Sequence, residues 1–141
     1  SPTVLLDAAH NPHGAEATAV ALEDSFAFSP LIGVVGVMAD KDHRGLLTAF
    51  EPHLAHVVCT QNSTDRALPA DRLAAVAREI FGEDRVSVAP RLADAIDQAA
   101  ALAEAGEAFG DPLGSGAVLV TGSVVTVGEA RSLLVREGKR P

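Results

Sequence analysis

The sequence predicts an α/β fold, a three-layer αβα arrangement in which helices cover both faces of a mainly parallel sheet. Apolar strand-like runs alternate with amphipathic helix patterns along the 141 residues, at intervals of roughly 25 residues. The run LIGVVGVM, at 31–38, is continuously apolar, which is typical of a strand buried on both faces. A chain of this length can close one core, and no repeat or linker divides it. We therefore expect a single domain over 1–141 with five strands.

The first part of the chain predicts three strands and two helices. The strands cover 3–7, 31–38 and 56–60, and the helices cover 12–26 and 43–54. Apolar side chains recur at helical spacing in both helices, for example Ala15, Ala19 and Leu22 in the first. Pro52 lies near the end of the second helix, where it predicts fraying or a kink because its nitrogen carries no hydrogen.

The second part predicts three helices and two strands. The helices cover 71–81, 91–105 and 125–135, and the strands cover 85–89 and 117–122. The first of these helices has the clearest apolar stripe, and Gly82 predicts its end. Gly106 predicts the end of the Ala-rich helix that follows, with a Gly-rich loop over 106–116. The strand at 85–89 is the weakest pattern and is expected at a sheet edge.

Composition excludes several classes of function. The chain has 11 Lys and Arg against 19 Asp and Glu, and a net charge of −8 argues against a broad nucleic-acid surface. The longest apolar runs are far short of a membrane span, and we expect neither a membrane-spanning helix nor a signal peptide. Cys59 is the only cysteine, so we expect a small buried side chain in a cytoplasmic protein. Because the chain opens SPTVLLD without an initiator Met, we expect a fragment of a longer protein.

The first predicted strand ends in DAAHNPHG, at 7–14. Asn11 can cap the next helix by accepting from its free N–H groups, and Pro12 suits the first helical position. Asp7 and His10 have no such local explanation. A carboxylate at a strand end can accept from a ligand hydroxyl such as that of a ribose, and His10 can donate to an anionic ligand. The pattern therefore indicates a ligand site at this junction.

His10 and His13 also raise the alternative of a zinc site. No cysteine or third ligand stands at a recognisable spacing from them, so we expect no metal in this chain. His13 is expected to be solvated in the first helical turn.

A second strand end carries GVMADKDHRG, at 36–45. Gly36 allows close backbone approach, and Asp42 can cap the helix that follows. Lys41 either faces a phosphate or carboxylate or belongs to a solvated charged turn. Both interpretations of this turn stay open.

A third strand end carries VTGSVVTVGEAR, at 120–131. Ser123 either holds a carboxylate together with nearby N–H groups or serves only as an N-cap. Neither a G-x-x-x-x-G-K-[ST] phosphate loop nor a G-x-S-x-G nucleophile motif occurs in the sequence. The chain therefore carries no complete reaction by itself.

These three motifs, in this order and spacing, resemble those of the C-terminal domain of the folylpolyglutamate synthase / dihydrofolate synthase family, in the Mur ligase superfamily. DAAHNPHGA is similar to the family's D-x-A-H-N-P-H-x-A, GVMADKD to its G-x-x-x-D-K-D, and TGSVVTVGEAR to its terminal G-S element. The likeness runs from about Leu5 to Leu134.

The resemblance implies part of an ATP-dependent ligase that joins L-glutamate to a dihydropteroate or folate carboxyl group through an acyl phosphate. It implies ATP and Mg²⁺, with the P-loop and the magnesium ligands in an N-terminal domain absent from this chain, so the isolated domain is expected to be inactive. It also implies that Asp7 and His10 contact ATP, and that His10 and Ser123 contact glutamate. Three further positions match the motifs without an implied role: Asn11, Lys41 and Asp42.

The same resemblance implies a strand order of 1-5-2-3-4, which sets the Asp7–His10 loop beside the Ser123 loop. A shared site for ATP and glutamate requires that adjacency. The family's sheet has a sixth strand, first in the chain and antiparallel, which would precede Ser1 and is expected to be missing here. The outer edge of the first strand present would then be free to pair with another molecule.

Two alternatives remain beside the folate ligase. The chain is either a stand-alone nucleotide-binding or regulatory α/β module, or the corresponding domain of a Mur-type ligase with another acceptor. HNPH and TGS favour the folate branch.

Overall fold

Five parallel strands form one sheet in the order β1-β5-β2-β3-β4, as predicted. The computed structural model describes residues 2–25, 28–109 and 115–137. The strands are β1 (Thr3–Leu6), β2 (Phe28–Val35), β3 (His56–Cys59), β4 (Val86–Val88) and β5 (Ser115–Thr121). In the described ranges no further strand pairs with the outer edge of β1. β4 is the opposite edge, in agreement with its weak pattern.

Helices pack on both faces of the sheet and complete the three layers. They are α1 (Pro12–Ser25), α2 (His43–Phe50), α3 (Ala70–Phe81), α4 (Leu92–Phe109) and α5 (Val124–Arg136). One core cluster joins the sheet to α1, α2 and α3, and the other joins it to α4 and α5. Along β2, Leu31 and Val35 belong to the first cluster while Ile32 and Val34 belong to the second. This alternation explains the continuous apolar run, since successive side chains point to opposite faces.

The predicted bounds of β2 were wrong by three residues at each end, because the strand covers 28–35 rather than 31–38. Val37 is fully buried, so its apolar character reflects burial and not membership of the parallel sheet. Met38 instead forms an isolated antiparallel bridge with Ala67. An apolar run therefore located the strand but not its end.

The predicted end of α4 at Gly106 was also wrong, because the helix continues to Phe109. One glycine costs a helix only about 1 kcal/mol, which an Ala-rich sequence can absorb. The expected loop over 106–116 is shorter at both ends, and 110–114 lie outside the described residues. Pro52 behaves as predicted, since α2 gives way to a 3-10 turn at Glu51–His53. No helix in the described parts of the chain is long and apolar enough to cross a membrane.

Candidate active site

The loops after β1 and β5 are joined by backbone hydrogen bonds. The Asp7 N–H donates to the Val120 carbonyl at 3.0 Å, and the Gly122 N–H donates to the Ala9 carbonyl at 3.0 Å. The predicted adjacency of these two loops is confirmed. It follows from the position of β5 between β1 and β2, because the carboxyl ends of parallel strands meet at one edge.

Asp7 is half-buried and has a structural task that the sequence did not reveal. Its Oδ1 accepts from the Ala9 N–H at 2.9 Å and from Thr18 Oγ1 at 2.9 Å. The carboxylate thus shapes its own loop and ties it to α1. Asp7 and Thr18 also line a cavity of about 220 Å³ between β1 and α1, whose other lining side chains are apolar.

The residues that follow Asp7 start α1 as the sequence predicts. Asn11 Oδ1 accepts from the Gly14 N–H at 2.7 Å, and Pro12 is the first helical residue. His10 is exposed, with Nδ1 at 3.1 Å from the Ala8 carbonyl oxygen. His13 is exposed in the first turn of the helix. Among the described residues no group of three or more His, Cys, Asp or Glu side chains could hold a metal ion.

The loop after β2 is braced on both sides of Lys41. Before it, the chain pairs with the loop after β3, where the Ala39 N–H donates to the Arg66 carbonyl at 2.8 Å. After it, Asp42 Oδ1 accepts from the Gly45 N–H at 2.9 Å, which confirms the predicted cap of α2. Lys41 itself is exposed on the turn between these two anchors.

The starts of α1 and α2 are packed against each other. A Cβ atom at Gly45 would lie 2.6 Å from Pro12 Cγ, far closer than carbon atoms normally approach. The absence of a side chain at Gly45 therefore lets the first turn of α2 approach the first turn of α1. This contact brings the His10 loop and the Lys41 loop to the same part of the sheet edge.

Ser123 is the N-cap of α5, as one of its two interpretations predicted. Its Oγ accepts from the Thr126 N–H at 2.9 Å and donates to Thr126 Oγ1 at 3.0 Å. The residue is only 2% exposed. Its hydroxyl is thus occupied within the protein.

The backbones of Gly122 and Gly36 lie close together at this edge. Gly122 has φ +116°, which favours glycine, and a Cβ atom there would overlap the Gly36 carbonyl. The Gly36 N–H donates to the Thr121 carbonyl at 3.2 Å. The predicted close approach at Gly36 is confirmed, and its partner is the loop that holds Ser123.

The sequence interpretation missed Thr126 and Asn62, which connect three of these loops. Thr126 Oγ1 donates to the Gly36 carbonyl at 2.9 Å, and Asn62 Nδ2 donates to Thr126 Oγ1 at 3.2 Å. Asn62 Oδ1 accepts from the Thr64 N–H at 3.1 Å. The position of Asn62 just after the third predicted strand was the only sequence signal, since asparagine in a loop ordinarily indicates a turn.

Cys59 agrees with its predicted role as a small core side chain. It is fully buried, and burial raises the pKa of its thiol to about 12, with a smaller opposing effect from Arg78. The thiol therefore stays protonated at neutral pH and lacks the thiolate form that a nucleophile needs.

The sequence model of the family described as "Mur ligase, glutamate ligase domain" matches residues 1–124. The chain belongs to this family. The "Dihydrofolate synthase/folylpolyglutamate synthase" of Mycobacterium tuberculosis is 47% identical over an alignment that covers 97% of this chain and 29% of that protein. A "Probable bifunctional folylpolyglutamate synthase/dihydropteroate synthase" of Halobacterium salinarum is 40% identical, over 96% of this chain and 15% of that protein. The chain thus spans less than a third of the length of these relatives.

Solved structures support the same assignment. The Mycobacterium tuberculosis folylpolyglutamate synthase complexed with ADP and AMPPCP superposes with a TM-score of 0.89 at 49% identity, over 94% of this chain and 30% of that chain. The folylpolyglutamate synthase of Thermotoga maritima gives a TM-score of 0.74 at 28% identity, over 98% of this chain and 28% of that chain. The resemblance drawn from the three motifs is therefore confirmed.

Proposed function

We propose that this domain receives L-glutamate and part of ATP in a ligase that adds glutamate to a dihydropteroate or folate carboxyl group. The observation that carries the proposal is the direct contact between the Asp7–His10 loop and the Ser123 loop, through Gly122 and Ala9. It is supported by the similarity to the dihydrofolate synthase/folylpolyglutamate synthase of Mycobacterium tuberculosis and by the ADP and AMPPCP bound in the structure of the folylpolyglutamate synthase of that organism.

The proposed reaction has two steps. A carboxylate oxygen of the acceptor attacks the γ-phosphorus of ATP, and ADP leaves as an acyl phosphate forms. The amine of L-glutamate then attacks the acyl carbon, inorganic phosphate leaves, and the amine nitrogen loses a proton to give the amide. Because the reactants must be held in line, the domain's contribution is positioning and charge stabilisation.

Asp7, His10 and Ser123 have separate roles in this proposal. One oxygen of Asp7 holds the loop, and the other accepts from the ATP ribose. His10, which is exposed, donates to the phosphates or to glutamate. Ser123 lies at the glutamate carboxylate, and contact through its hydroxyl requires a change of rotamer because that hydroxyl now donates to Thr126.

A second part of the site consists of the two helix caps, Asn11 and Asp42, and of Lys41. Asn11 and Asp42 fix the starts of two neighbouring helices, so they act on the loops and not on the ligand. Lys41 is exposed and has the charge to face a phosphate or carboxylate.

No group of three or more metal-ligating side chains occurs among the described residues, and the family resemblance assigns the magnesium ligands to an N-terminal domain. We therefore place the magnesium ligands, with the P-loop, on an N-terminal domain that closes over this edge in the cytoplasm. The isolated domain is then inactive, since it cannot activate the γ-phosphate.

A domain exchange tests the proposal. The matching segment of the Mycobacterium tuberculosis relative is replaced by this chain, and glutamate-dependent ADP release is measured with dihydropteroate or folate present. We expect turnover from the chimera and none from the 141-residue chain alone. A folded chimera that still binds the acceptor but releases no ADP would contradict the proposal. Tight nucleotide binding by the isolated chain would instead favour a stand-alone module.

Two exposed histidines provide a matched pair within the chimera. His10→Ala is expected to lower kcat/KM at least about tenfold, because it removes a donor to a charged ligand. His13→Ala, three residues away in the first turn of α1, is expected to leave kcat/KM within about twofold. Equal losses from both variants would argue against a specific role for His10.

A further inference from the structure

We propose that Thr126 is a positioning residue that sets the geometry of the glutamate-receiving loop. This inference rests on the proposed function. Thr126 lies in the first turn of α5 and is fully buried, and its hydroxyl is hydrogen-bonded to three groups of the protein. It acts on the loop that carries Ser123, whose position it fixes through hydrogen bonds to Gly36 and Asn62.

The Thr126 hydroxyl uses its complete hydrogen-bonding capacity. A hydroxyl has one hydrogen to donate and two lone pairs that accept. Thr126 Oγ1 donates to the Gly36 carbonyl at 2.9 Å, and it accepts from Ser123 Oγ at 3.0 Å and from Asn62 Nδ2 at 3.2 Å. A single oxygen thus joins the loops that follow β2, β3 and β5.

The groups that donate to Thr126 have few other hydrogen-bond acceptors within reach. Ser123 and Asn62 are each 2% exposed, so water cannot replace the lost acceptor without a movement of the loops. Removing the hydroxyl leaves the buried Ser123 hydroxyl without its acceptor and takes a donor from the Gly36 carbonyl. It also leaves Asn62 Nδ2 with only its longer contact to Met38 Sδ, at 3.5 Å. Buried polar groups without partners are unfavourable, so the loops shift until the groups find new partners. The shift displaces Ser123 from the position at which glutamate is received.

Thr60 offers a matched control at the same edge of the sheet. It is also a fully buried threonine, and its Oγ1 donates to the Pro90 carbonyl at 3.2 Å. This bond joins the loops after β3 and β4 and includes neither Ser123 nor Gly36. Thr60→Val therefore removes one buried hydroxyl, as Thr126→Val does, without releasing the glutamate-receiving loop.

The test compares Thr126→Val, Thr126→Ser and Thr60→Val in the chimeric ligase. KM for L-glutamate, KM for ATP and kcat are measured for each variant. We expect Thr126→Val to raise KM for glutamate by about tenfold, the equivalent of one buried hydrogen bond, with KM for ATP within about twofold of the parent. Thr126→Ser keeps the hydroxyl and should stay within about threefold, whereas Thr60→Val should lose stability with KM for glutamate unchanged.

Unchanged KM for glutamate in Thr126→Val, or an equal rise in Thr60→Val, would overturn the positioning role. A parent chimera without turnover would count against the proposed function instead. In that case amide hydrogen exchange on the isolated chain tests the positioning role of Thr126 separately. The N–H groups of Gly36 and Gly122 should exchange faster in Thr126→Val but not in Thr126→Ser or Thr60→Val. Equal exchange in all three variants would overturn it.

Discussion

The sheet has a carboxyl edge, where its parallel strands end, and an amino edge, where they begin. The hydrogen-bond networks of Thr126 and Arg85, one at each of these edges, differ in charge and in burial. At the carboxyl edge, the neutral hydroxyl of Thr126 is fully buried and joins three loops. At the amino edge, the guanidinium of Arg85 is about one third exposed and donates to the carbonyls of Glu51 and Leu54 at 2.9 Å and 2.6 Å. It also pairs with the Glu51 carboxylate at 2.9 Å and lies over the Phe81 ring.

This difference separates positioning from stability. At the carboxyl edge, the buried network of Thr126 is neutral, whereas the carboxylates of Asp7, Asp42 and Glu129 accept exposed or half-buried hydrogen bonds in the same loops. At the amino edge, the charged guanidinium of Arg85 donates hydrogen bonds to backbone carbonyls that have no helical partner where α2 and its 3-10 turn end. We therefore expect changes that release the Ser123 loop at the carboxyl edge to alter ligand binding, and changes at the amino edge to alter only the free energy of unfolding.

The largest effect is expected at the carboxyl edge, from Gly122→Ala. The new Cβ atom would overlap the Gly36 carbonyl, at a residue with φ +116°. We expect the free energy of unfolding to fall by about 4 kcal/mol, from backbone strain and steric overlap together. Urea unfolding of the chain measures this loss.

Gly82→Ala is the control for that experiment. Gly82 has φ +86° and ψ +154°, but a Cβ atom there has no heavy atom within 4 Å. Its substitution should cost only the strain, about 2 kcal/mol. Equal losses at both glycines would show that the contact between Gly122 and Gly36 is looser than the structure indicates.

The sequence predicted the strand order through the family resemblance and the elements through local periodicity. Periodicity succeeds for β2 because alternate side chains enter the two core clusters. It fails at Val37, which is buried outside the strand. The glycine signal for the end of a helix fails at Gly106, which α4 includes. Burial and helix length depend on packing against the rest of the chain, which a short window of sequence does not contain.

In the candidate site, too, local features could be predicted from the sequence and long-range contacts could not. Asn11 and Asp42 were predicted as caps because each accepts from an N–H group three residues ahead. The hydrogen bonds of Thr126 with Gly36 and Asn62 span 90 and 64 residues, so no local pattern reveals them. A motif can thus identify the loops of a site, while the contacts that hold the loops together require the structure.

A smaller effect is expected at the amino edge, from Arg85→Ala. The substitution removes hydrogen bonds to the carbonyls of Glu51, Leu54 and Ala55 and the ion pair with the Glu51 carboxylate. We expect a loss of about 2 kcal/mol in the free energy of unfolding, since partial exposure weakens the ionic part. KM for glutamate in the chimera should not change, because Arg85 lies at the edge opposite the loops.

Arg44→Ala provides the comparison for an exposed ion pair. Arg44 pairs with Glu79 at 2.8 Å, but both side chains are more than half exposed. Its loss should cost less than about 0.5 kcal/mol. An Arg85 effect no larger than this would mean that its carbonyl contacts contribute little.

The smallest effect is a pH dependence at the amino edge, from His56 at the start of β3. Burial, and secondly the nearby charge of Arg85, lower the pKa of His56 from 6.5, and its Nε2 lies 2.6 Å from Ser87 Oγ. Below pH 6.5 the unfolded chain therefore binds more protons at this residue than the folded chain does. The stability associated with neutral His56 is complete above that pH and is lost as the pH falls through the folded pKa.

His56→Gln should make the free energy of unfolding fall less steeply with decreasing pH, as followed by urea titrations between about pH 7.5 and pH 5. Arg85→Ala should reduce the same pH dependence in part, because it removes the second cause of the lowered pKa. Thr126→Val, at the other edge, should leave the shape of the pH curve unchanged. Parallel curves for the parent and His56→Gln would show that the folded chain accepts a proton at His56 as easily as the unfolded chain does.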